Sequence, residues 1–164
     1  MSNPKVSTQA RICIIIQYVI SHHLFFFMQV QPKWVDWIVS GGKLMKYAPS
    51  FVGAIGKIIF LRANKGRVKK GYTNKGGACR AAMVVGAPFH RDVDPDKFVA
   101  EWGCANYKNA YPIHFVLKFP QFWFDPLTYK QGCVPGLLKA SSVSDLAKCR
   151  SALRFPKLKV ACHL

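Results

Sequence analysis

Apolar positions along the chain fall into blocks of differing rhythm, separated by glycine, proline and charge. The first block, "ICIIIQYVISHHLFFFMQV" from Ile12 to Val30, contains no charged residue. Its β-branched "CIII" cluster and triple phenylalanine point to a buried strand followed by an aromatic core segment. At about 20 residues it is also long enough to span a membrane, although Gln17, Ser21, His22, His23 and Gln29 interrupt it. A third reading is an organelle-targeting or secretory leader, because Lys5 and Arg11 precede the apolar stretch and no acid occurs before Asp36. A fourth takes Met28 as the true first residue. Residues 1–32 therefore read as an apolar leader or a buried first segment, ahead of a single basic domain over 33–164.

In "YAPSFVGAIGKIIFLRANKG", Phe51, Val52, Ile55, Ile58 and Ile59 recur at three- and four-residue spacing. With Pro49 in the first turn and Gly66 as a stop, the stretch predicts a helix. "ACRAAMVVG" predicts a buried strand. "DVDPDKFVAEWG" predicts a short helix with Asp94 as N-cap, Pro95 at the first position and Gly103 after the end. "YPIHFVLKFP" alternates as a strand does, with Ile113, Phe115, Leu117 and Phe119 on one face. "FPQFWFDP" reads as an aromatic loop or edge segment between prolines. "SVSDLAKCRSALRF" predicts a last helix, with Ser142 and Asp145 at capping-box spacing, an apolar stripe of Val143, Leu146 and Leu153, and a basic outer face of Lys148, Arg150 and Arg154.

Composition narrows this further. A chain of 164 residues, 51% hydrophobic and carrying twelve Phe and four Trp, builds one domain with its own core. The fold class is α+β: a small single domain with a few helices on a short, mostly antiparallel sheet, plus a basic, glycine-rich loop. The six cysteines, Cys13, Cys79, Cys104, Cys133, Cys149 and Cys162, are spaced too irregularly for a disulfide scaffold. Reduced thiols favour the cytosol, nucleus or an organelle matrix over secretion, and with the leader-like N-terminus a mitochondrial or other organelle matrix comes first, the cytoplasm second.

Charge alters the picture most. The formal net charge is +17, from 24 Lys plus Arg against seven acids, and a field of one sign on that scale opposes compaction unless an anion screens it. From Trp37 to Arg91 there is no acid, while eleven cations occur. They concentrate in "RANKGRVKKGYTNKGGACR", residues 62–80. Here Arg62, Lys65, Arg67, Lys69, Lys70, Lys75 and Arg80 are candidate contacts to nucleic-acid phosphates, whose neutralisation releases counterions. The interleaved glycines let backbone N–H groups approach phosphate oxygens, and Tyr72 is positioned to stack on an exposed base.

Other chemistry finds less support. Asp92, Asp94 and Asp96 begin like a calcium loop, but Lys97 stands where its glycine belongs and Gly103 where its bidentate glutamate belongs. No two cysteines have zinc-ligand spacing. "VSGGK", Val39–Lys43, has the glycines of a small anion nest without P-loop spacing, and no GxGxxG, HExxH or GxSxG occurs. No catalytic residue, metal ligand, cofactor or small-molecule substrate is indicated. The sequence points to a structural, non-enzymatic RNA-binding component of a large ribonucleoprotein assembly, ribosomal-protein-like and organellar, whose partners are rRNA-like RNA and neighbouring proteins. The competing reading is an accessory subunit of a membrane complex, anchored through residues 12–31, with the basic stretch facing lipid headgroups.

Overall fold

Ile12, Ile15, Ile16, Val19 and Ile20 stand three and four residues apart. That spacing prevails over the β-branched composition, for these side chains form the inward stripe of a helix, α1 (Thr8–His22), in place of the predicted strand. The computed structural model describes residues 8–22, 24–49, 51–65, 76–98, 106–120, 123–129, 136–154 and 157–160. Its further elements are β1 (Phe25–Val30), α2 (Pro32–Ser40), β2 (Met45–Ala48), a 3-10 turn (Val52–Ala54), β3 (Ile58–Ala63), β4 (Cys79–Val85), β5 (Phe89–His90), β6 (Asn109–Lys118), β7 (Leu137–Lys139), α3 (Val143–Ala152) and β8 (Lys157–Val160).

The three helices accompany a curled mixed sheet in the order β2-β6-β4-β3-β1-β7, with β5 and β8 also paired to β6. Among the described strands, only β1 and β3 pair parallel, from Phe25 opposite Ile58 to Val30 opposite Ala63. The other pairings are antiparallel. The domain is thus α+β with a largely antiparallel sheet.

The sheet is covered on both faces, and this explains why "IIFLRA" becomes strand β3 and not part of a helix. Ile58 and Phe60 join a core with α1, α3, Phe25, Phe27, Leu117 and Phe119. Ile59, Leu61 and Ala63 join a second core with Val35 and Ile38 of α2. A strand buried on both sides is apolar without interruption, which on paper resembles helical spacing. The predicted helix over 47–66 therefore resolves into β2, the 3-10 turn and β3, with Gly56 at φ 74° between the last two. Phe60 is central to the first core. Its ring meets Phe25, Phe27 and Phe124 edge-on and Phe119 in a stack, at centroid distances of 5.5–6.2 Å.

Two irregularities re-aim polar side chains. Arg62 pairs with Cys79 but Leu61 with Ala81, so Arg80 is an extra residue on β4. Val84 pairs with Phe115 but Val85 with Ile113, so His114 is extra on β6. Such bulges shift the alternation of a strand and turn one residue outward. They also place Ile113 in the second core and Phe115, Leu117 and Phe119 in the first, which corrects the single face expected for these four residues.

Helix α2 carries ordinary end signals. Its first position is Pro32, and Gly41 caps it at φ 85° with its N–H donating to Ile38 O. The expected last helix forms as α3, where Ser142 accepts from the Asp145 N–H at 3.0 Å, although Val143 faces solvent and not the core. Of the helix expected from Asp94 to Gly103, the described part is one turn in which Asp94 O accepts from Lys97 and Phe98 N–H, and residues 99–103 lie outside the described residues.

Candidate nucleic-acid interface

Strands β3 and β4 are consecutive and antiparallel, so the basic stretch leaves and re-enters the sheet at neighbouring points. At that entry Gly77 N–H donates to Ala63 O at 2.6 Å, and Asn64 N–H to Val30 O at 2.8 Å. Gly76 and Gly77 serve different needs there. A Cβ on Gly76 would fall within the Asn64 carbonyl group, and Gly77 has φ 98°. Of the eight candidate contacts, Arg62, Lys65 and Arg80 lie in this described base. Arg67, Lys69, Lys70, Tyr72 and Lys75 lie outside the described residues.

Arg62 is only 3% exposed and points across the sheet to Asp125, its Nε 3.2 Å from Oδ1, with its guanidinium 5.5 Å from the centre of the Tyr129 ring. Lys65 Nζ lies 2.8 Å from the other oxygen of the same carboxylate. Asp125 thus bridges two of the predicted contacts, leaving Lys65 half-exposed and Arg62 inside. A buried arginine of this kind orients the base of the basic stretch, and the carboxylate offsets the burial of its charge.

Asp125 is held by its surroundings in turn. Phe124 O accepts from Cys79 N–H at 2.7 Å, which joins the segment to β4. On the other side, Asp145 of α3 accepts from Leu127 N–H at 2.9 Å, Thr128 N–H at 2.8 Å and the Thr128 hydroxyl at 2.5 Å. Burial alone would raise the Asp145 carboxyl. The hydrogen bonds from Thr128 and Leu127 more than offset this and hold it below its ordinary value. Tyr129 closes the segment, its hydroxyl facing the carbonyls of Phe27 and Gly136.

The bulge residue Arg80 emerges beside this segment. Its guanidinium lies 4.0 Å from the centre of the Trp123 ring, close enough for a cation–π contact. Its Nε is buried and has no hydrogen-bond partner among the described residues. Trp123 is 57% exposed, and its indole N–H donates to Phe119 O at 3.1 Å, which fixes the ring. Together with Val35, Asp36 and Val39 of α2, and with Lys118, Phe119 and Pro120 after β6, these residues line a cleft of about 330 Å³.

Neither Asp125, Trp123 nor Asp145 figured among the predicted contacts. The sequence signal for the pairing was faint: Asp125 is a rare acid in a basic chain, but what it faces depends on the sheet order. The glycines of "VSGGK" do not form an open anion nest. Gly41 and Lys43 N–H groups donate to Ile38 O and Trp37 O, and the Lys43 ammonium lies 5.0 Å from the rings of both Trp34 and Tyr47.

Cys79 and Cys149 are both buried thiols, and Cys13 is an exposed one. Burial, reinforced by the neighbouring Cys149, pushes the Cys79 thiol well up, and burial beside Asp145 does the same to Cys149. Among the described residues no group of three or more metal-ligating side chains converges, and no helix is long and apolar enough to cross a membrane. No protein-family model and no curated protein matches the chain.

Proposed function

We propose that this protein is a structural RNA-binding component of a large ribonucleoprotein assembly, ribosomal-protein-like and located in the mitochondrion or another organelle matrix. The observation that carries the reading is the acid-free run from Trp37 to Arg91, with eleven cations. Four of those cations, Arg67, Lys69, Lys70 and Lys75, belong to the connection between two central strands of the sheet. A basic connection anchored at both ends presents its charges from a fixed base, and the ordering of the base lowers the entropy lost on binding. Lys and Arg at such a place neutralise phosphates with little regard to sequence. No catalytic role is assigned to any residue.

The reading is tested by sedimenting the native protein from gently lysed cells, with and without ribonuclease, alongside alkaline carbonate extraction of the membranes. Co-migration with a large particle that ribonuclease dissolves is the expected result. A carbonate-resistant membrane pellet indifferent to ribonuclease would contradict it and favour a membrane-complex subunit attached through residues 12–31.

A further inference from the structure

The cleft between α2 and the segment after β6 combines features that a solvated surface does not require. Arg80 is displaced from the ladder by a bulge and stacks on Trp123. Trp123 is locked at its N–H edge by Phe119 O, yet more than half of it is open to solvent. Lys118 is exposed on the same rim, and Asp36 lines the opposite wall on α2. A large aromatic held rigid, polarised by a cation on its ring and left uncovered is a stacking platform, since every nucleobase offers a π-face.

We infer that this cleft binds one unpaired nucleotide of RNA, its base stacked on Trp123 and its phosphate beside Lys118 and Arg80. The inference rests on the RNA-binding reading above and adds a defined site to it, which shares Arg80 with the base of the basic stretch and otherwise lies outside it. At about 330 Å³ the cleft lies near the lower end of small-ligand pockets, which suits one nucleotide and excludes a duplex. Charge sets the orientation. The exposed Lys118 draws the anion to its rim, and the base lies toward the ring.

The test is titration of the ¹⁵N-labelled full chain with adenosine monophosphate, following the Trp123 indole N–H signal, which Trp123→Leu assigns by its loss. Ribose 5-phosphate and inorganic phosphate serve as controls. A saturable shift of this signal with the nucleotide, at least tenfold weaker with either control and weakened several-fold by Lys118→Glu, is the expected result. Equal shifts with phosphate alone would overturn the stacking site. An unmoved indole in a protein that still binds long single-stranded RNA would overturn the cleft and leave the basic connection standing. A moved indole in a protein that binds no long RNA would support the cleft and contradict the wider function. Lys118→Glu lies on the surface, so the test does not depend on an Arg80 variant that disturbs packing.

Discussion

Asp145 illustrates how one side chain joins elements distant in sequence. Its residue is fully buried, its backbone N–H takes the Ser142 cap, and its carboxylate accepts from Leu127 and Thr128. Replacing it with Ala leaves three donors unpaired, and the loss should be about 3 kcal/mol of stability by denaturant titration. The effect also depends on pH. Because the folded chain holds this carboxyl below its ordinary value, its contribution is complete above the unfolded pKa of about 3.9 and is lost as pH falls toward the folded value. Wild type should therefore lose stability more steeply than Asp145→Asn between about pH 5 and pH 2. Parallel acid profiles for the two would show that the hydrogen bonds do not favour the ionised form. The cysteines give a second outcome at this scale. Brief iodoacetamide treatment at pH 8, mapped by peptide mass spectrometry, should label Cys13 and spare Cys79 and Cys149 until the protein is unfolded.

At the scale of elements, the entry to the basic stretch depends on close backbone approach. The Asn64 carbonyl occupies the space that a Cβ on Gly76 would need, and neither backbone can move without disturbing the Gly77 to Ala63 hydrogen bond. Gly76→Ala should cost about 2 kcal/mol, read as a shift in the urea midpoint with unchanged slope. A neutral substitution would mean that the two strands do not close as described. The strands themselves were partly legible in the sequence. "ACRAAMVVG" and "YPIHFVLKFP" announced β4 and β6, because their runs are short and bounded by glycine or proline. The final helix was legible from its Ser142 cap. The sequence misled at Ile12–Ile16 and at Tyr47–Gly66, where β-branched composition and three- to four-residue spacing gave opposite signals. Tertiary burial decided each case, by covering one stripe of α1 and both faces of β3. Sheet order lay beyond local pattern, and with it the pairing of Arg62 and Lys65 with Asp125 and the approach of Arg80 to Trp123.

Across the whole molecule, a formal charge of +17 sits on a body whose sheet is apolar on both faces, so few of the described cations enter its cores. The fold gives them different tasks. Arg62 lies inside against Asp125, Lys65 shares the same carboxylate, Lys43 lies among aromatic rings, and Arg80 stacks on Trp123, which leaves Arg67, Lys69, Lys70 and Lys75 as the predicted outward contacts. This division explains how one chain holds both a core and a strongly basic surface, and why total charge alone does not identify the proposed contacts. The measurement that tests this most directly is the salt dependence of binding to a labelled single-stranded RNA, by fluorescence anisotropy, for wild type and for Arg67→Glu/Lys69→Glu/Lys70→Glu. Wild type should bind with an affinity that falls steeply as potassium chloride rises, and the triple variant should bind weakly with its log–log slope reduced by about 2, from about 0.7 per lost phosphate contact. Equal affinity and equal slope in the two proteins, with the fold intact, would contradict the assignment of RNA binding to the basic connection.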